Sequence, residues 1–414
     1  MGAPRVHHGC TKQEAKSTNG GGAAGGLPAG SAPIQEEEKE MKAKHGSVSA
    51  SRAHGRLIGC CVMLALALAG FIYAPAAASA ATSTYIASGD SITFGITDEK
   101  FNVNYPNEAP AFFEEGFDHW FNADLNRSTE VGKSVIDVNT ACPSESTETF
   151  IGENEAIGGE KSTEPAAGSK GTAGIGDWHP CGYQSVEGFP LHYSAGGEHS
   201  QLEEILSILK EGKPAHPVRA ITLNLGGSDE LALVEGCTRE VQEEYEREGK
   251  SHWAESPELA VKTCIGTTAE NVTIPHVVGN VSDILKMIDS TEAGGGHYSG
   301  AIVLVGFYNP DSFTVPGSDI LQNLLNEKLE QILPKFSNVT FANPFPIVNK
   351  GAFHEKLEAK EQESICKYTE MCNPNVQVPG GEPAGKDGDQ LPTLAGDKLL
   401  ATLVNKAWLS NPAK

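Results

Sequence analysis

A serine in a Gly-Asp-Ser turn is the residue of this sequence best suited to chemistry. Ser91 follows Tyr85-Ile86-Ala87-Ser88-Gly89-Asp90, an apolar run that enters a glycine-containing turn. At the carboxyl end of a parallel strand, a serine faces the crevice where α/β sheets bind ligands. Its hydroxyl is then a candidate nucleophile, and its backbone N–H a candidate oxyanion donor. A plainer interpretation stays open, in which Asp90 or Ser91 only caps a helix.

A serine nucleophile needs a base within hydrogen-bond reach, and histidine is the usual one. The sequence alone places none of the histidines after residue 80 beside Ser91. His192 and His199 fall in a region that would border the site, although a surface or core role is the default for each. The others are His119, His179, His216, His252, His276, His297 and His354.

The elements that must position Ser91 alternate between two kinds of pattern. Short runs rich in β-branched residues predict strands at Thr84–Ala87, Ser134–Val138, Arg219–Leu225, Ala301–Gly306 and Val339–Phe341. Amphipathic periodicity predicts helices at Ala109–Leu125, Ser200–Lys210, Val277–Ile288, Asp319–Leu333, His354–Tyr368 and Leu394–Trp408. This alternation predicts an α/β fold with a parallel sheet covered by helices.

Four ordered blocks between about Tyr85 and Ala401 resemble the SGNH/GDSL hydrolase family, in its exported actinobacterial form. They are Gly89-Asp90-Ser91-Ile92 with Gly95, Asn139 to Thr147 around Cys142-Pro143, Leu223 to Asp229, and Asp389-Gln390-Leu391-Pro392-Thr393 with Gly396. The resemblance implies a three-layer, flavodoxin-like α/β/α sandwich. It also implies that Ser91 is the nucleophile and one oxyanion donor.

Three of the four blocks depart from the family pattern. Ser144 stands where a glycine is expected, and Ser228 stands where an asparagine donates to the oxyanion. Leu391 occupies the histidine position, and Gly388 the usual aspartate position. Asp387 and Asp389 flank Gly388 and are the candidate acids. Without a base, a serine is a weak nucleophile at neutral pH.

The N-terminal part has the pattern of a secretory leader sequence. Basic residues precede an apolar run from Leu57, and Ala78-Ser79-Ala80 predicts cleavage after Ala80. We therefore expect an extension over 1–56, a signal peptide over 57–80 and a single hydrolase-type domain over 81–414. A membrane anchor through 57–76 is the alternative. Either one predicts secretion or a place on the extracellular face of the cell envelope.

Cysteine usage supports export. Beyond the leader, an even set remains: Cys142, Cys181, Cys237, Cys264, Cys366 and Cys372. Proximity favours disulfides between successive members of that set, and the rival, a metal site, lacks both a Cys-x-x-Cys pair and clustered histidines. The spacing between Cys366 and Cys372 also resembles the cysteine spacing of exported relatives in that family. The predicted Cys142–Cys181 bridge would close a glycine-rich surface loop over 152–176.

Charge and motifs leave two functions open. A formal net charge of −23 excludes nucleic acid as a partner. The first hypothesis is a serine esterase or lipase acting on a small-molecule, lipid or glycan ester. The second is a non-catalytic protein that uses the crevice to hold a glycan, lipid or protein at the cell surface. We expect a monomer with no metal or organic cofactor.

Overall fold

The computed structural model describes most of the chain after residue 81. The described residues are 82–97, 100, 109–128, 134–143, 145–152, 192, 200–211, 217–248, 256–293, 296–312, 318–353, 358–373 and 390–414. They all lie in one of two compact units, Pro75–Lys414. No helix among them is long and apolar enough to cross a membrane. The leader over 57–80 lies outside them, so both of its interpretations stay predictions.

The strands follow the predicted β-branched runs. In chain order they are β1 (Thr82–Gly89), β2 (Ser134–Asn139), β3 (Val218–Asn224), β4 (Glu292–Ala293), β5 (Gly296–His297), β6 (Ala301–Val305) and β7 (Val339–Ala342). Five of them form a parallel sheet in the order β2-β1-β3-β6-β7. The short β4 and β5 pair with each other in an antiparallel hairpin.

The helices are α1 (Ser91–Phe94), α2 (Phe117–Arg127), α3 (Thr147–Ile151), α4 (Gln201–Glu211), α5 (Gly227–Glu248), α6 (Pro257–Thr268), α7 (Ile274–Ser290), α8 (Ser318–Ile332), α9 (Phe345–Val348), α10 (Glu358–Tyr368) and α11 (Leu394–Ser410). A π-helical segment, Ala269–Thr273, joins α6 to α7 without a break. The sequence patterns did not predict α5 or α6. The predicted helix Ala109–Leu125 divides into a 3₁₀ turn, Pro110–Phe113, and α2.

Side chains that alternate along the strands fill two cores, one on each face of the sheet. Ile86, Ile221 and Leu304 pack with α4, α7 and α8 on one face. Tyr85 and Val303 pack with α2, α10 and α11 on the other. This two-residue alternation is the strand periodicity. The fold is therefore the predicted three-layer α/β/α sandwich with a parallel sheet.

Two of the predicted disulfides are present. Cys237 of α5 is bonded to Cys264 of α6, and Cys366 is bonded to Cys372. Cys142 is also disulfide-bonded, while its predicted partner Cys181 lies outside the described residues. The Cys237–Cys264 bridge fastens together the two helices that the sequence patterns missed.

Candidate active site

A cavity of about 420 Å³ opens at the carboxyl ends of β1, β3 and β6. Parallel sheets bind ligands at this edge, where the strand order reverses between β1 and β3. The residues that follow the three strands line it, and α6, the π-helical segment and α8 complete its wall. The cavity brings together Ser91, Ser228 and Leu391, which come from three of the four motif blocks.

Backbone geometry places Ser91 at the cavity. Gly89 ends β1 with φ +145°, and a Cβ there would lie 2.4 Å from the backbone oxygen of Asn224. Only glycine fits such a position. Asp90 then caps α1, since its Oδ1 accepts from the Ile92 N–H at 3.0 Å. The capping interpretation is thus right for Asp90, and it leaves Ser91 as the first helical residue, half-buried in the cavity wall.

A buried glutamine holds the turn before Ser91. Gln201 Oε1 accepts from Ser88 Oγ at 2.7 Å and from the Gly89 N–H at 3.0 Å. Its Nε2 donates to the Gly89 carbonyl and to Glu145 Oε2, both at 2.8 Å. Gln201 therefore ties the start of α4 to two of the motif blocks. A single glutamine in an amphipathic helix gives no sequence signal for such a role.

The third block places Ser228 in the first turn of α5. Gly227 lies so close to Phe307 that a Cβ would come within 2.7 Å of its ring. Asp229 accepts from the Thr147 N–H at 2.9 Å and from Thr147 Oγ1 at 2.8 Å. These bonds fasten the second block to the third and leave Ser228 in the cavity wall with Ser91. A hydroxyl there donates one hydrogen bond at shorter reach than an asparagine amide.

The fourth block contributes an apolar side chain. Leu391 lines the cavity and packs against a small core of Phe94, Ile96, Phe113 and Ala141. The adjacent Gln390 also lines the cavity, and its Nε2 donates to Asp311 Oδ2 at 2.8 Å. The candidate acids Asp387 and Asp389, and the candidate oxyanion residue Ser144, lie outside the described residues, so their roles stay predictions.

Within the described ranges, no histidine lines the cavity. His192 Nε2 donates to the Phe94 carbonyl at 3.0 Å, and its ring packs on Phe94 with centroids 4.5 Å apart. Burial lowers the pKa of His192. His119 and His297 are exposed elsewhere. His276 is also exposed, although it is close enough to Asp229, beside Ser228, to oppose the rise in the pKa of Asp229 that burial causes. The remaining histidines lie outside the described residues. His192 is thus the described histidine held against the helix that Ser91 begins.

Buried carboxyls give the cavity an unusual electrostatic character. Burial raises the pKa of Asp90 to about 7, although the Ile92 N–H opposes the shift. Burial also raises the pKa of Glu230 to about 8, with a further contribution from Asp229. Both side chains line the cavity. Near neutral pH, Glu230 is therefore largely uncharged, and the cavity carries less negative charge than its composition suggests.

Comparisons with known proteins find similarity at the level of solved structures. No family model matches the sequence, and no curated protein matches it either. A member of the lipolytic G-D-S-L family from Veillonella parvula aligns at 13% identity over 79% of this chain and 99% of its own, with a TM-score of 0.36.

Two Streptomyces enzymes align over a similar extent. The extracellular lipase of Streptomyces rimosus aligns at 12% identity, over 78% of this chain and 99% of its own, with a TM-score of 0.38. Phospholipase A1 of Streptomyces albidoflavus aligns at 11% identity over the same shares, with a TM-score of 0.39. Each of the three alignments covers nearly the full length of the neighbouring protein.

Proposed function

We infer that this chain is an exported protein of the SGNH/GDSL hydrolase type, which binds an acyl ester beside Ser91 and hydrolyses it slowly or not at all. One observation carries the inference: Ser91, Ser228 and Leu391 share one cavity. By the resemblance, the nucleophile position is kept as Ser91 and the oxyanion position carries a shorter hydroxyl, Ser228, while an apolar side chain stands at the place of the base.

The retained groups still suit ester binding. Ser91 is the first residue of α1, and Ser228 lies in the first turn of α5. A helix N-terminus favours negative charge on a bound carbonyl oxygen. Apolar side chains such as Leu233, Ile265 and Phe307 form much of the wall. A cavity of this size and character fits a small ligand with an apolar chain.

The missing base explains why we expect little turnover. A neutral serine hydroxyl attacks an ester poorly unless a group accepts its proton. Removal of the histidine from a serine triad costs roughly 10⁴-fold or more in kcat, and only binding and oxyanion stabilisation remain. Leu391 cannot accept a proton.

Export is part of the proposal. The predicted leader over 57–80 and the disulfides at Cys237–Cys264 and Cys366–Cys372 support it, because structural disulfides persist in oxidising compartments. The ligand is then met outside the cytoplasm. It would be a soluble, lipid or glycan ester.

The test is hydrolysis of short-chain p-nitrophenyl esters by the purified protein, beside Ser91→Ala and Leu391→His variants. We expect a nearly inert parent and a gain of activity in Leu391→His. Parent turnover that Ser91→Ala abolishes would instead establish an esterase with another base.

His192 is the favoured base under that second outcome, because it contacts the helix that Ser91 begins. A His192→Ala variant would then lose the activity, whereas His297→Ala, which alters an exposed histidine, would keep it. If His192→Ala had no effect, His276→Ala would be tested next, because His276 interacts with Asp229 beside Ser228; failing that, the base would be sought among the histidines outside the described residues.

A further inference from the structure

Two polar side chains lie close together in a largely apolar part of the cavity wall. Glu230 lies in the first turn of α5, and Gln322 lies in α8. Both line the cavity, together with the apolar side chains of Leu233, Ile265 and Leu321. Neither residue belongs to the serine turn, the oxyanion position or the Leu391 position.

Each of these side chains has an unused hydrogen-bonding atom. Among the described residues, neither Glu230 Oε1 nor Gln322 Nε2 has a hydrogen-bond partner. Gln322 is only 8% exposed. A buried polar atom without a partner destabilises the folded state, so the pair favours a ligand group that supplies the missing hydrogen bonds.

The two groups are close but do not complete each other. The Gln322 amide is near enough to lower the pKa of Glu230, although burial raises that pKa more, to about 8. The contact with the carboxyl is nevertheless too distorted to give Gln322 Nε2 a well-formed hydrogen bond. Rotation about the terminal torsion of Glu and Gln is soft, so small rotations turn both atoms towards a group in the cavity.

The chemistry of the pair selects what that group must be. The Gln322 amide nitrogen only donates, and Glu230 Oε1 accepts unless it carries the acid proton. A hydroxyl accepts from the amide and donates to the carboxyl oxygen at the same time. A ketone pairs with both atoms only when Oε1 carries the acid proton, whereas a hydroxyl pairs with both in either protonation state. An ammonium opposes the amide N–H, and a methylene satisfies neither atom.

We propose that Glu230 and Gln322 form a specificity site for a hydroxyl group carried on the apolar chain of the ligand. The preferred ligand is then a hydroxyacyl ester rather than a plain acyl ester. This inference rests on the proposed function, because the acyl chain must lie in the cavity beside Ser91.

The test compares ligands that differ by one oxygen atom. Methyl octanoate and its monohydroxy isomers, with the hydroxyl moved along the chain, are titrated calorimetrically into the Ser91→Ala protein so that no ester is consumed. We expect one isomer to bind about tenfold more tightly than the plain ester, or better, because only that isomer pairs both atoms.

Variants of the pair assign the preference to its source. Glu230→Leu and Gln322→Leu should each abolish the preference for the hydroxylated isomer, whereas both variants should still bind the plain ester. Glu230→Gln, which keeps a donor and an acceptor, should retain most of it. Glu240→Gln changes an exposed glutamate on the same helix and should leave it unchanged. Urea unfolding of each variant verifies that it folds.

The outcomes separate the two proposals. The proposed hydroxyl site is contradicted if all the isomers bind with the affinity of the plain ester. It is also contradicted if the preference survives in both leucine variants. In either case, the proposal that an acyl ester binds in the cavity is unaffected. If no ester binds at all, both proposals fail. A preference lost in both leucine variants and kept in Glu230→Gln supports the hydroxyl site.

Discussion

The two turns that meet at the cavity both have a hydrogen-bonded backbone, but they present different side chains to it. The turn before Ser91 is held by hydrogen bonds, with Gly89 fixed by Gln201 and Asp90 bonded to the Ile92 N–H. The turn at Leu391 contributes a side chain held by apolar contact with Phe94 and Phe113. Under the proposed function, this difference separates the positioning of the serine, which is retained, from the transfer of its proton, which is lost.

The test with the largest expected effect removes the Gln201 side chain, which holds the turn before Ser91. Gln201→Leu deletes four hydrogen bonds and leaves Glu145 and Ser88 with fewer partners in a buried region. We expect the free energy of unfolding to fall by about 3–5 kcal/mol, measured by urea denaturation. Gln242→Leu, at an exposed position, should change it by less than about 0.5 kcal/mol. A loss below about 1 kcal/mol in Gln201→Leu would contradict a clamp.

A second test strains the same turn without removing a polar group. Gly89→Ala places a methyl group against the Asn224 carbonyl at a positive φ, and we expect a loss of about 2–4 kcal/mol in unfolding free energy. Gly279→Ala is the matched control, because its Cβ would meet nothing within 4 Å in helix α7. That control should gain up to about 1 kcal/mol from helix propensity. Equal effects at both sites would mean that the turn is not tightly fixed.

A third test uses pH to sharpen the electrostatic side of the comparison. Burial raises the pKa of Asp90 and Glu145 to about 7 and that of Glu230 to about 8. Between their unfolded values near 4 and these folded values, the folded state binds more protons than the unfolded state. These three groups should therefore make the free energy of unfolding fall as the pH rises from about 4 to about 8, as measured by urea denaturation.

The contribution of Glu230 to this decrease in unfolding free energy with pH can be measured. One pKa unit corresponds to about 1.4 kcal/mol, so Glu230→Gln should reduce the difference in unfolding free energy between pH 4.5 and pH 8.5 by at least about 2 kcal/mol. Urea denaturation at both pH values gives the result. The same change at the exposed Glu240 should leave the slope intact, and an unchanged slope in Glu230→Gln would mean that its carboxyl ionises normally.

The smallest effect is expected at the other turn. Leu391 is only half-buried against its apolar neighbours, so Leu391→Ala should cost about 1–2 kcal/mol, below the usual range for a fully buried leucine. Urea denaturation beside Gly89→Ala tests the ranking. A larger loss at Leu391 than at Gly89 would reverse the comparison drawn between the turns.

The sequence predicts the sheet well because its strands are short, β-branched and buried. Ala301–Val305 is buried at every position, which leaves a continuous apolar run. Helix α5 escaped prediction because charged residues crowd its second half, from Arg239 to Glu248. Its neighbour α6 exposes Leu259 and buries few residues, so it has no clear apolar stripe.

The residues of the candidate site also divide into those that the sequence reveals and those that it does not. Ser91 and Ser228 are visible in the sequence because short motifs with turn glycines carry them. Gln201, Glu230 and Gln322 are not, since a polar residue in an amphipathic helix looks the same whether it faces solvent or a cavity. Only the packing of α4, α5 and α8 against the strand ends separates these cases.

The π-helical segment in the cavity wall has a consequence for how such a cavity could change. Ala269 and Thr273 line the cavity from a stretch that holds one residue more per turn than the helices on either side. Deleting a single residue there would convert the stretch into ordinary α-helix, and the helices on either side would keep nearly the same faces towards the cavity. The extra residue thus shapes this part of the wall locally, and its deletion would change which side chains of Ala269–Thr273 meet the cavity without rotating α6 against α7.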